Sequence, residues 1–248
     1  MPVSKPKVLI LGGTTEAAQL AQELSALPVA VMTSLAGRTA NPAPLPGPVR
    51  SGGFGGADGL AAYITAEKID YVIDATHPYA ARISQNAVTA TALTGTSLLR
   101  IERSQWVQQN GDQWITVANE EEAARLIPAG ERVFLALGRQ HIAPFATRAD
   151  AHFIMRMIDP TDAPLPADCE ILLARPGTHA QEKQFLTEKR IGLIVCRNSG
   201  GDTSYAKIKA ARDLALPVMM IARPPVMAEH VTETVEETIR LLRLHFEF

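Results

Sequence analysis

The sequence predicts an α/β protein with two doubly wound parallel sheets. Short, almost wholly apolar segments recur along the 248-residue chain, as expected of parallel strands that are buried on both faces. Amphipathic stretches separate several of these segments, and alternating strands and helices are typical of parallel α/β folds. We therefore expect two Rossmann-like lobes with an interlobe cleft. The nine predicted strands are 8–11, 29–32, 71–73, 98–101, 133–137, 153–157, 171–173, 193–196 and 218–221.

Helices are predicted from capping residues and from apolar residues spaced three or four apart. Asn119 precedes three glutamates, which is typical of a helix start because an Asn cap and acidic side chains both complement the exposed N–H groups there. The other helical patterns occur at Ala17, Leu20, Ala21 and Leu24; at Ile83, Ala87 and Val88; and at Val235, Ile239, Leu242 and Phe246. Such helices supply the crossovers that parallel strands require.

The division into lobes is predicted at a polar stretch near the middle of the chain. Residues 102–119 interrupt the strand–helix alternation and carry both tryptophans, Trp106 and Trp114. We expect a coenzyme-binding lobe over residues 1–118 and a substrate-binding lobe over residues 119–248. Because ligands commonly bind between domains, the cleft between the lobes is the expected location of the site.

A long irregular segment is predicted at residues 36–58. It contains four prolines and then a glycine-rich run that includes Gly53. Loops of this length in compact domains are usually functional, and here the glycines follow a predicted sheet edge. We expect Gly53 to approach a bound coenzyme; a surface excursion without a function is the alternative.

Composition and charge exclude several functional classes. The 24 Lys and Arg residues against 26 Asp and Glu give a net charge of −2, unlike the basic surface of a nucleic-acid-binding protein. No apolar run approaches the roughly 18 residues of a membrane span, and we see no signal-peptide pattern. The two cysteines lie far apart and the six histidines lack metal-ligand spacing, so no metal is expected. We expect a cytoplasmic protein without nucleic-acid or membrane partners.

A glycine-containing turn directly follows the first predicted strand. Glycines let the backbone approach a phosphate, and the N-terminus of the next helix supplies free N–H groups and a positive dipole end. The full G-x-G-x-x-G fingerprint is absent, so an ordinary strand-to-helix turn is an equal alternative on local sequence alone. The residues predicted to bind coenzyme here are Gly12, Gly13, Thr14, Thr15 and Glu16.

The end of the second predicted strand indicates which dinucleotide would bind. Folds that prefer NAD place an Asp or Glu there to hold the ribose 2′-hydroxyl. This chain has Ser34 and Arg38 instead, and no acid. An arginine would hold a 2′-phosphate that a carboxylate would repel, so the pattern predicts NADP(H). The alternative for Arg38 is a solvated loop arginine.

The third central strand ends in polar residues that would face the ligand crevice. Asp74 and Thr76 are predicted to lie beside the coenzyme, because strand C-termini line the crevice of a doubly wound sheet. His77 and Tyr79 follow and are candidate proton donors. The alternative is a helix-capping Asp and a structural His.

The second half of the chain carries basic residues at or near the ends of predicted strands. If those ends converge on one crevice, they predict a substrate with several carboxylates or phosphates. Scattered, solvated arginines are the alternative. The predicted substrate-binding residues are Arg139, Arg156, Arg175, Arg197, Asn198, Ser199 and Lys207.

An ordered set of motifs resembles the precorrin-6A reductase family of cobalamin biosynthesis. The motifs span nearly the whole chain, at 9–17, 36–38, 52–56, 74–80, 138–140, 156–160, 198–201 and 210–212. The resemblance implies NADPH-dependent reduction of one double bond of a corrinoid macrocycle, which gives precorrin-6B. It also implies a polycarboxylate tetrapyrrole substrate and allows other corrin-pathway enzymes as partners.

Two departures from the family pattern are small. Residues 174–178 read Ala-Arg-Pro-Gly-Thr where the family often has Ala-Arg-Gly-Pro-Phe, and Arg197 stands where the family often has lysine. Two other functions stay open from the residues alone: a two-lobed NADP-binding sensor that never turns over, and a nucleotide-sugar transferase. NADPH oxidation in the presence of a precorrin would separate hydride chemistry from both.

Overall fold

The computed structural model describes residues 5–37, 44–202 and 204–248, which form two compact units. The first unit consists of the described chain up to Ser104 together with Pro224–Phe248. The second unit is continuous and spans Gln105–Arg223. None of the helices within the described residues is long and apolar enough to cross a membrane.

Twelve strands and seven helices occur in the described residues. The strands are β1 (Lys7–Leu11), β2 (Ala30–Leu35), β3 (Val49–Ser51), β4 (Tyr71–Asp74), β5 (Ser97–Ile101), β6 (Gln113–Val117), β7 (Arg132–Ala136), β8 (His152–Met157), β9 (Cys169–Leu173), β10 (Leu193–Arg197), β11 (Pro217–Ile221) and β12 (Val231–Thr232). The helices are α1 (Thr15–Ser25), α2 (Ala57–Glu67), α3 (Ala81–Thr94), α4 (Glu120–Leu126), α5 (His179–Glu188), α6 (Ala206–Asp213) and α7 (Val235–Phe246). Two short 3₁₀ turns, Arg139–His141 and Ala143–Phe145, follow β7.

Each unit contains one fully parallel six-stranded sheet. The order is β12-β5-β4-β1-β2-β3 in the first unit and β6-β11-β10-β7-β8-β9 in the second. From β1 the chain builds the first sheet outwards through β2 and β3, and then from β4 in the other direction. From β7 it builds the second sheet through β8 and β9, and then from β10 in the other direction, whereas β6 precedes β7 and lies at the edge beside β11. The central pairs are β1 and β4, and β7 and β10. This confirms the predicted fold class, and the central pair marks the switch point where such sheets bind ligands.

The cores explain why the central strands are continuously apolar. In β1, Val8 and Ile10 pack in a cluster with side chains of α1 and α7, whereas Leu9 and Leu11 pack on the opposite face with α2 and α3. All four residues are at most 1% exposed. Full burial of one such side chain contributes about 1.5–3 kcal/mol, so two-sided burial anchors the strand whose end forms the predicted phosphate loop.

All nine predicted strands are present, and three further strands were not predicted. The segment predicted to be irregular at 36–58 contains β3, and the polar stretch at 102–119 contains β6. The third addition is β12. Asn119 caps α4 as predicted, since its side-chain oxygen accepts a hydrogen bond from the Glu122 N–H at 2.8 Å.

The two units differ from the predicted division at residues 118 and 119. Strand β6 lies before that point but pairs with β11, which places 105–118 in the second unit. Strand β12 pairs with β5, and Val235 and Leu242 of α7 are buried in the core of the first unit. The prediction followed the chain order and therefore missed the return of the C-terminal segment. The coenzyme and substrate roles of the units stay predictions, as does the cleft.

Candidate functional site

The switch point of the first unit lies between the ends of β1 and β4. The Gly12 N–H donates to the Ser34 carbonyl at 2.9 Å, which ties the turn to β2. A Cβ at Gly12 would lie 3.2 Å from Thr33 Cγ2 and 3.3 Å from Ala17 Cβ, so a side chain there would have to displace these neighbours by a few tenths of an ångström. At Gly13 φ is +113°, and no described atom lies within 4 Å of the position a Cβ would take. The turn thus leaves the backbone approachable, as phosphate binding requires.

Helix α1 begins at Thr15, directly after this turn. The Thr14 hydroxyl accepts a hydrogen bond from the Ala17 N–H at 3.1 Å and donates one to the Ala75 carbonyl at 2.7 Å. One side chain therefore caps α1 and links it to the end of β4. The link holds the helix N-terminus at the switch point, where its remaining N–H groups can meet an anion.

Glu16 lies in the first turn of α1 and is paired with Arg103. Both carboxylate oxygens accept hydrogen bonds from Arg103 Nη1, at 2.9 and 2.8 Å. Burial by itself would raise the pKa of Glu16, but the hydrogen bond and charge of Arg103 leave it below its usual value. The ion pair compensates a negative charge that would otherwise oppose a phosphate at this helix end.

At the end of β2 a hydroxyl contacts a guanidinium from the neighbouring strand β3. Ser34 is 5% exposed and accepts a hydrogen bond from Arg50 Nη1 at 3.2 Å. Arg50 also donates to the carbonyls of Gly52, at 2.7 Å, and Gly53, at 2.9 Å. Arg38, the arginine predicted to hold a 2′-phosphate, lies outside the described residues.

Arg50 was not among the predicted site residues. Strand β3 pairs with β2 in a register that sets Arg50 beside Ser34, and its guanidinium stacks 3.9 Å from the centre of the Phe54 ring. The guanidinium is therefore oriented before any ligand binds. The sequence signal was a basic residue two positions before the glycine-rich run, within a segment that was interpreted as irregular.

The end of β4 forms a buried ion network centred on Arg100, which was also not predicted. Arg100 lies 2.8 Å from Asp74 and 2.7 Å from Glu102, and the Arg100 and Asp74 side chains are 4% and 2% exposed. Asp74 additionally accepts hydrogen bonds from the Thr76 N–H and hydroxyl, at 3.0 and 2.7 Å. Arg100 Nη1 also donates to Thr76 and Ser84, at 3.0 and 3.1 Å. The network fixes the segment between β4 and α3, which continues into the predicted proton donors.

His77 and Tyr79 lie together just beyond this network. Their rings are 5.8 Å apart, and the Tyr79 N–H donates to His77 Nδ1 at 3.3 Å. Both side chains are partly exposed. They occupy the carboxyl edge of the first sheet, and their catalytic role stays a prediction.

The switch point of the second unit contains three charged or titratable groups. Arg197, the last residue of β10, contacts Glu120 at 2.5 Å, and His141 Nδ1 lies 3.1 Å from the same Glu120 oxygen. Of these three, only Arg197 was predicted from the sequence. Burial by itself would raise the pKa of Glu120, but the hydrogen bonds from His141 and Arg197 lower it to about 2. An ionised carboxylate thus lies between an arginine and a histidine.

A cleft of about 400 Å³ opens beside β8, β9 and α5, and both Arg156 and Arg175 line it. Arg156 makes a two-pronged contact with Glu182, at 2.7 and 2.9 Å, and Glu182 is 1% exposed. The same carboxylate accepts the Gly177 N–H at 2.6 Å, which holds the loop before α5. Arg175 is exposed on that loop. Of the two arginines, Arg175 is therefore the more exposed to solvent.

The other predicted substrate-binding residues include two that are buried. Asn198 bonds the backbone N–H and carbonyl of Trp106, at 2.8 and 3.0 Å. Lys207 is 6% exposed, donates to the Ser204 carbonyl at 2.7 Å and lies 4.9 Å from the Trp106 ring centre. Burial lowers the pKa of the Lys207 ammonium. Both side chains stabilise the loop between β10 and α6.

Arg139 and Ser199 are held at the same edge of the second sheet. Arg139 donates to the Pro160 carbonyl at 3.0 Å, and the Ser199 N–H donates to the Arg197 carbonyl at 2.8 Å. Their predicted contacts with substrate stay predictions, as do those of the other residues at this edge.

Comparison with known proteins identifies the family. Residues 7–243 match the family described as Precorrin-6x reductase CbiJ/CobK. The chain belongs to the precorrin-6x reductase family. The Precorrin-6A reductase of Rhodobacter capsulatus is 43% identical over 242 residues, covering 96% of each chain. A solved structure named CobK precorrin-6A reductase is 43% identical, covers 97% of each chain and has a TM-score of 0.91.

More distant relatives carry a second name. The Cobalt-precorrin-6A reductase of Methanothermobacter thermautotrophicus is 27% identical, covering 96% of this chain and 85% of the relative. Membership of the precorrin-6x reductase family makes the chain an oxidoreductase. The resemblance inferred from the sequence motifs is thereby confirmed.

Proposed function

We propose that the protein reduces one double bond of precorrin-6A with NADPH, giving precorrin-6B in cobalamin biosynthesis. The observation that carries this proposal is membership of the precorrin-6x reductase family over residues 7–243. The relative named for the cobalt-free substrate is 43% identical and the relative named for the cobalt-containing one 27%, which favours the cobalt-free macrocycle. Family membership does not favour a sensor without turnover or a sugar transferase.

The first unit is the proposed coenzyme-binding unit. Its switch point combines the approachable backbone at Gly13, the N-terminus of α1 and the Thr14 link to β4. A pyrophosphate placed there would meet backbone N–H groups and the positive end of the helix dipole. Because Arg103 pairs with Glu16, the charge of this carboxylate opposes a phosphate at the helix N-terminus less strongly. The residues present therefore fit a dinucleotide.

Preference for NADPH over NADH is proposed to come from the ends of β2 and β3. No acid lies at the end of β2 to hold a ribose 2′-hydroxyl, and Ser34 and Arg50 are in contact there instead. Arg50 is oriented by two carbonyls and the Phe54 ring, so binding a 2′-phosphate would cost it little conformational entropy. Arg38, which follows β2 closely in sequence, is proposed to add a second positive charge.

The second unit is the proposed substrate-binding unit. A precorrin carries many side-chain carboxylates, and Arg139, Arg175 and Arg197 are distributed along the carboxyl edge of this sheet. Arg175 faces a cleft whose volume, about 400 Å³, suits one edge of a macrocycle. Charge-assisted hydrogen bonds to several carboxylates would both bind and orient the ring.

The chemistry that NADPH supplies when bound is hydride transfer to one carbon of a conjugated double bond. The protein must hold the ring in register, exclude water and deliver a proton to the neighbouring carbon. His77 and Tyr79 are the proton donors predicted from the sequence.

The test is the fall in NADPH absorbance when the purified protein is given precorrin-6A. We expect oxidation of one NADPH per macrocycle, slower turnover with NADH, and slower turnover with cobalt-precorrin-6A. NADPH binding without oxidation in the presence of either macrocycle would refute the proposal and favour a sensor.

A further inference from the structure

The switch point of the second unit holds a carboxylate–imidazole pair to which the proposed function gives no role. His141 lies in the 3₁₀ turn after β7, and Glu120 is the first residue of α4. Arg197 at the end of β10 contacts the Glu120 oxygen that faces the imidazole. Three elements that are distant in sequence thus meet at the carboxyl ends of the neighbouring strands β7 and β10. Doubly wound sheets bind their ligands at this place.

Glu120 determines which ring nitrogen of His141 is held by the protein and which is left for a substrate. The lowered pKa of about 2 keeps Glu120 ionised, so its oxygen can only accept a hydrogen bond. Nδ1, at 3.1 Å, must therefore carry a hydrogen, and Nε2 is the nitrogen left to exchange a proton. The His141 side chain is 30% exposed against 16% for Glu120, so the ring is the more accessible of the two.

We propose that His141 is the proton donor of the reduction and acts from Nε2 on the ring carbon next to the one that receives the hydride. This inference rests on the proposed function. Hydride addition brings two electrons to one carbon, and the π pair of the double bond forms the new C–H bond on its neighbour. The Nε2–H bond breaks as that C–H bond forms, NADP⁺ is the oxidised product, and His141 regains its proton from solvent.

The geometry favours His141 over His77 as the acid. The Tyr79 N–H donates to His77 Nδ1, so that ring is neutral whenever the hydrogen bond is formed. In contrast, His141 Nδ1 donates to a carboxylate, which leaves Nε2 as the nitrogen that can pass a proton to the substrate. The charged groups that face His141 are Glu120 on α4 and, behind it, Arg197 on β10. Arg139 lies two residues earlier in its own turn.

The experiment compares the pH dependence of turnover for the full-length wild type, His141→Asn, His77→Asn and Glu120→Gln, with saturating NADPH and precorrin-6A. A general acid must be protonated, so wild-type kcat should have a descending limb at high pH. His141→Asn should lower kcat by about 10²- to 10⁴-fold and abolish this descending limb. Glu120→Gln should also lower kcat, because an amide can turn its NH₂ towards Nδ1 and then no longer holds the hydrogen on that nitrogen.

Binding and folding are measured separately. Calorimetric titration of His141→Asn and Glu120→Gln with NADP⁺ should give unchanged affinity, because both substitutions lie in the second unit. His152→Asn is the matched control. His152 is the first residue of β8, at the amino ends of the strands of the same sheet, and pairs with Asp168 at 2.7 Å. It should keep the wild-type kcat and pH profile. If His141→Asn does not fold, the Glu120→Gln profile decides.

Three results would overturn the inference. The first is a His141→Asn enzyme with wild-type kcat and an unchanged descending limb. The second is loss of that limb in His77→Asn alone, and the third is a Glu120→Gln profile that matches the wild type. If the wild type itself oxidises no NADPH with precorrin-6A, the proposed function fails, and this inference fails with it.

Discussion

Replacing Arg100 with methionine should destabilise the first unit severely. Methionine keeps much of the length of the side chain but removes the guanidinium that lies 2.8 Å from Asp74 and 2.7 Å from Glu102. The buried Asp74 carboxylate would then lose the guanidinium that pairs with it, and Glu102 would lose its contact with the same group. Thr76 and Ser84 would also lose a donor each.

The expected loss in the free energy of unfolding follows from the burial of the Arg100–Asp74 ion pair. Removing one partner of a buried ion pair costs about 3–5 kcal/mol, because the remaining charge stays desolvated and unpaired. The Arg100 and Asp74 side chains are 4% and 2% exposed, so this range applies without a discount for solvent. Domains typically unfold with about 5–15 kcal/mol, so the loss is a large fraction of the total.

Urea denaturation followed by far-UV circular dichroism measures the free energy of unfolding. Tryptophan fluorescence reports on the unfolding of the second unit, because Trp106 and Trp114 both belong to it. We expect Arg100→Met to move the dichroism transition to lower urea while a fluorescence transition remains near its wild-type midpoint. NADPH affinity should fall as well, since the network fixes the end of β4.

An exposed ion pair provides the matched control. Arg125 lies 3.6 Å from Glu122, with side chains 74% and 33% exposed, and Arg125→Met should change the free energy of unfolding by less than about 1 kcal/mol. Equal losses for the two variants, or a loss below about 1 kcal/mol for Arg100→Met, would show that the buried network does not stabilise the unit as described.

Three further predictions concern the two sites. Arg50→Ala should weaken NADPH by roughly ten- to hundredfold in a binding titration, the equivalent of about 1.5–3 kcal/mol, while NADH changes little; equal losses would contradict a 2′-phosphate contact. Gly12→Ala should cost about 1–3 kcal/mol in urea denaturation, because its Cβ would crowd Thr33 and Ala17, whereas unchanged stability would mean that the turn relaxes freely. The pKa of Glu120 is depressed from 4.5 to about 2, so its ion cluster contributes stability above pH 4.5 that is lost as the pH falls towards 2. An acid titration of Glu120→Gln should lack this loss, and a wild-type-like curve would refute the assignment.

The strands that the sequence predicted are those whose burial leaves a continuous apolar signal. The three missed strands, β3, β6 and β12, are all sheet edges in the described topology. Strand β6 reads Gln-Trp-Ile-Thr-Val with only its last residue buried, and β3 is three residues long. A strand with one neighbour and one solvated side needs few apolar residues, so neither periodicity nor run length identifies it.

The sequence predicted some residues of the candidate site but not their partners. Strand ends identify which residues reach the carboxyl edge, and Arg197 is found there as predicted. Its partner Glu120 lies 77 residues away, and the partner of Arg156, Glu182, lies 26 residues away. Such pairs are set by crossovers between strands, which a linear pattern does not encode. Arg50 and Arg100 were missed because a single basic residue in a strand has no periodic signature.

The order in which the chain leaves the ribosome differs from the order in which its two units become complete. Residues 105–223 form a continuous unit that has all its strands as soon as Arg223 has been synthesised. The first unit, although earlier in sequence, still lacks β12 and the α7 side chains that cover β1 and α1. A nascent chain stalled before Pro224 would expose that apolar face while its later half is already folded. Chaperones should therefore engage the first half of the chain and release it only when the last 25 residues arrive.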